Sequence, residues 1–68
     1  MDLIDKIVGD PYHAIIVHSL VQGCGYLIWY NPQIGNLDAF EFHGIDWARI
    51  PLSAVPDSGM VEKVELGF

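Results

Sequence analysis

The stretch Tyr12–Val21 is apolar on whichever alternate set of residues is read. Taken as a strand, one side carries Tyr12, Ala14, Ile16, His18 and Leu20, and the other His13, Ile15, Val17, Ser19 and Val21. Such a strand suits the centre of a sheet that is covered on both faces. A helix is the alternative for residues 11–22, because Asp10 could cap it, Pro11 suits a first helical position and Gly23 would stop it. The consecutive β-branched residues Ile15, Ile16 and Val17 favour the strand, being stiff at χ1 and well fitted to a pleated surface.

The remaining segments arrange themselves around that stretch. Leu3, Ile4, Ile7 and Val8 form one helical face with Asp2, Asp5 and Lys6 opposite, which predicts a short N-terminal helix ended by Gly9 and Asp10-Pro11. A helix this short must dock its stripe on something to persist. Gln22-Gly23-Cys24-Gly25 reads as a turn. Tyr26–Tyr30 reads as a strand, Asn31–Asn36 as a loop, and Leu37–His43 as a third strand with Phe40 and Phe42 buried and Glu41 and His43 in water. Asp46 could cap a single turn through Arg49, and Pro51 forbids a longer helix. A further short turn fits Pro51–Val55, Asp57-Ser58-Gly59 is a turn, and a last strand places Met60, Val64, Leu66 and Phe68 on one side. The expected fold is α+β: a single domain over residues 1–68, with a small antiparallel sheet of about four strands and a short N-terminal helix.

Composition sharpens the expectation. The chain has 68 residues, 51% of them apolar and only 18% charged. A domain of this size buries only about 60% of its unfolded surface. It cannot hide that many apolar side chains, and the surplus must lie outside, where contiguous apolar surface marks contact sites. One cysteine excludes an internal disulfide and points to a reducing, cytoplasmic setting. The longest apolar run, Tyr26–Tyr30, is far short of the roughly 20 residues that span a bilayer. The opening Met1-Asp2-Leu3 lacks the basic region of a signal peptide.

Nine acidic residues against Lys6, Lys63 and Arg49 give a formal net charge of −6. So few cations argue against direct binding to nucleic acid or to an anionic membrane, whereas a basic protein partner is compatible. Cys24 between two glycines, with His13, His18 and His43 elsewhere, is the nearest approach to a catalytic set, but a thiol–imidazole pair is spatial and no spacing supports it. His13 and His18 diverge on a strand and on a helix alike, and no zinc-type ligand pair occurs. Neither catalysis, a metal nor a cofactor is expected.

Asp38, Glu41 and Asp46 interleave with Phe40, Phe42 and Trp47, and Trp is favoured at interface hot spots. Asp38, Glu41, Asp46, Trp47 and Arg49 are therefore the candidate partner-binding residues. Val64, Leu66 and Phe68, on a terminal strand with an open edge, are the candidate oligomer interface. The expected function is a non-catalytic protein-binding module, of the kind with which viruses inhibit basic nucleic-acid-handling proteins of host defence. Alternatives are a small structural subunit of a homo-oligomer or larger enzyme, and a small thiol-dependent enzyme.

Overall fold

The β-branched run takes the strand form. A computed structural model describes residues 2–18, 25–42, 44–56 and 59–67. It contains helix α1 (Asp2–Ile7), strands β1 (His13–His18), β2 (Gly25–Asn31), β3 (Asn36–Phe42), β4 (Trp47–Ile50) and β5 (Met60–Glu65), and a 3-10 turn at Leu52–Ala54. The strands form one sheet in the order β4-β3-β2-β1-β5, and every neighbouring pair is antiparallel. The predicted turn at Gln22–Cys24, His43 and Phe68 lie outside the described residues.

Short-range chemistry sets the connections. Gly9 takes φ +82° at the end of α1, and the Asp10 N–H donates to the Ile7 carbonyl at 2.9 Å. In the β2–β3 loop the Asn31 carbonyl accepts from the Gly35 N–H at 2.9 Å, with Gly35 at φ +64° in the left-handed region that glycine tolerates.

The register sorts side chains onto two faces. Ile15, Ile28, Ala39 and Ile50 are partners across four strands, as are Val17, Tyr26, Glu41 and Ala48. This is the core face, where Ile15, Val17, Tyr26, Ile28 and Ala39 are buried together with Ile7 of α1 and Val55. Val55 is there because β4 and β5 lie at opposite edges, so the chain between them must cross the sheet. Four strand spacings amount to about 19 Å, well within reach of residues 51–59. Val55 brings the described part of this crossing onto the core face, and among the described residues α1 and this segment make its cover.

Two expectations change, and the core-packed side of β5 is settled. Residues 47–50 form a fifth strand and not a capped turn, because Trp47–Ile50 finds a partner in Ala39–Phe42. Phe40 and Phe42 lie on the opposite face from the core, half-buried and exposed, while Glu41 is half-buried on the core face. On β5 the side that packs against the core is that of Val61, whereas Met60 is 64% exposed.

Candidate functional site

The other face of the sheet carries Ile16, Leu27, Phe40 and Arg49 in register across four strands, with Ala14, Trp29 and Asp38 in the next row and Phe42 beside Trp47 at the far end. Among the described residues no helix or crossing segment lies over it. Ala14 is fully buried because it is small and sits between Trp29 and Val64. Elsewhere on this face Ile16, Leu27, Trp29 and Phe40 are half-buried, and Phe42 at 36% and Trp47 at 49% are exposed. Two shallow depressions mark the surface. One, of about 240 Å³, is walled by Leu27, Phe40 and Trp47. The other, of about 300 Å³, is walled by Pro11, Tyr12, Trp29, Asn31, Pro32 and Gln33. Leu27 and Trp29 are neighbours on this side of β2, so the depressions lie end to end.

Aromatic packing holds the surface in shape without hiding it. The Phe42 and Trp47 rings stack with centroids 4.9 Å apart and planes inclined by 22°. Arg49 places its guanidinium 5.8 Å from the Phe40 ring centre, within the range of a cation–π contact. The same Arg49 donates to Asp38 Oδ2 at 3.1 Å, and Asn31 Nδ2 donates to that oxygen at 3.0 Å. A carboxylate as buried as Asp38 needs such partners, since an unpaired charge away from water is costly. Asp38 is thus spent on the sheet itself.

The five residues singled out as partner-binding therefore divide. Trp47 and Arg49 are exposed on the open face, and Asp46 is exposed immediately before β4, next to Ile45, which is 90% exposed. Asp38 shares that face but is buried in its ion pair, and Glu41 points to the core side. Of the residues named for an oligomer interface, Val64 is half-buried on β5, and the half-buried Leu66 donates its N–H to the Tyr12 carbonyl at 2.8 Å. Phe68 lies outside the described residues. Reading the acids as one exposed stretch missed Leu27 and Trp29, whose signal was the second apolar parity of β2, and placed Phe40 of β3 in the core.

Cys24 lies outside the described residues, and no group of three or more His, Cys, Asp or Glu among the described residues is placed to hold a metal ion. His13 Nδ1 meets Asp10 Oδ2 at 2.8 Å, and the Tyr12 N–H donates to Asp10 Oδ1 at 3.0 Å. This arrangement fastens the entry to β1. No described helix is long and apolar enough to cross a membrane.

No family model, curated protein or solved structure matches the chain.

Proposed function

We propose that this chain is a non-catalytic module that binds a basic partner protein through the open aromatic face of its sheet. The observation that carries the reading is that face: apolar and aromatic across β1 to β4, with no cover among the described residues. Monomeric proteins seldom leave such a surface unused. Trp and Arg, both enriched where binding energy concentrates, stand on it at Trp47 and Arg49. The net charge of −6, with exposed Asp46 and Glu62 beside the apolar centre, supports a basic partner. A nucleic-acid-handling protein, inhibited by occupation of its basic groove, is the target class that charge fits best.

Capture of partners from the native host tests this, followed by titration of the purified partner. The reading expects a basic protein whose binding weakens with salt and loses about 2 kcal/mol on Trp47→Ala. Undiminished binding by both Trp47→Ala and Phe40→Ala would remove the face from the reading. Binding indifferent to salt and to Asp46→Lys would remove the basic partner and favour a structural subunit.

A further inference from the structure

We propose that two copies of this chain pair antiparallel along the free edge of β5, centred on Val64, so that Lys63 of each copy stands opposite Glu65 of the other. This contact is separate from the aromatic face and does not depend on its having a partner.

β5 ends the sheet, and among the described residues it pairs with no strand except β1, which leaves its outer edge unpaired there. Which main-chain groups face outward follows from one bond and the register. The Leu66 N–H donates to the Tyr12 carbonyl, and the β1–β5 partners continue as Ala14 with Val64 and Ile16 with Glu62. Hydrogen-bonded partners alternate along an antiparallel ladder. Glu62, Val64 and Leu66 therefore turn their N–H and C=O groups toward β1, and Val61, Lys63 and Glu65 turn theirs outward.

A second copy related by a two-fold axis must pair some residue with itself, because only an axis perpendicular to the sheet generates antiparallel strands. Few registers are available, and charge separates them. Centring on Lys63 opposes two ammonium groups, and centring on Glu62 or Glu65 opposes two carboxylates, each unfavourable. Centring on Val61 runs the ladder into Gly59, which bends at φ +128°. Centring on Val64 pairs Val64 with Val64 on the open face and Lys63 with Glu65 twice on the core face. Lys63 and Glu65 are both exposed and both turn main-chain groups outward, so they become the hydrogen-bonded pairs of the new ladder. The opposite edge is less suited, because β4 spans only Trp47–Ile50 and is followed by Pro51, which has no N–H to offer.

Sedimentation of the full chain up to about 1 mM, the affinity of weak specific contacts, tests the pairing. Wild type is expected to dimerise with concentration. Lys63→Glu and Glu65→Lys should each weaken the dimer at least tenfold, and the double reversal should restore it. In a Cys24→Ser background, Val64→Cys should oxidise to a linked dimer, since directly opposed non-hydrogen-bonded partners approach to about 4.5 Å between Cα atoms. Glu62→Cys should not. Trp47→Ala should leave dimerisation unchanged, which separates this contact from the aromatic face. A wild type that stays monomeric throughout overturns the proposal, as do folded single reversals that dimerise like wild type or a double reversal that does not recover.

Discussion

Asp10 closes the helix with its backbone N–H and opens the sheet with its carboxylate. The Tyr12 N–H, against the opposing effect of burial, holds its carboxyl below the ordinary 3.8, and the contact and charge of His13 and the charge of Lys63 add to the lowering. A carboxyl depressed in the folded state stabilises the fold above its unfolded pKa, and that gain is lost as pH falls through the folded value. Asp10→Asn should therefore lower the melting temperature at pH 7, and the gap to wild type should close as the pH falls below 3.8. A gap that stays constant from pH 7 to pH 2 would place the effect elsewhere. Asp38 shows what charge counting leaves hidden. In the sequence it is one acid among nine, whereas in the fold it is the buried acceptor for Arg49 and Asn31. Its partners lie seven residues before it and eleven after it, a proximity that only strand pairing creates.

Helix α1 and the Val55 crossing are the only cover the described chain offers its sheet. Ile7 is fully buried within it. Truncating a buried isoleucine costs about 2–5 kcal/mol, while a core this small supplies about 3–5 kcal/mol in all. Ile7→Ala should therefore leave the protein largely unfolded at 25 °C by circular dichroism. Trp47→Ala, on the open face, should shift stability by only about 0.5 kcal/mol, as exposed substitutions do. Equal losses from the two substitutions would contradict the division into covered and open faces. The helix, β1, β2, β3 and the final strand were legible because each carries a local signal: the stripe at Ile4 and Ile7, the β-branched run, the aromatic run, the glycine turns. Strand β4 was not, since Asp46 and Pro51 resemble the ends of a turn and only pairing with β3 makes Trp47–Ile50 a strand. The burial of β3 was inverted for a related reason. Phe40 and Phe42 are larger than Ala39, but the cover lies on Ala39's side.

At the scale of the molecule, one imbalance accounts for most of what is unusual. The inner strands β1 and β2 are apolar on both sides, and the described residues provide a single cover. Its accessible surface is 4525 Å², no smaller than the roughly 4,300 Å² of an average globule of its mass. Ile45, Trp47 and Met60 stay well exposed, so folding does not absorb all of the apolar residues. What remains outside includes the stacked Phe42–Trp47 pair, flanked by the charges of Asp46 and Arg49. The most direct measurement is the relaxation of side-chain protons by a soluble paramagnetic probe, taken on dilute protein residue by residue. Strong relaxation at Phe42, Trp47 and Met60, with Ile15, Val17 and Ile28 protected, is the predicted result. Protection of Phe42 and Trp47 equal to that of Ile15 would mean that the chain covers both faces of its own sheet, and would contradict the account.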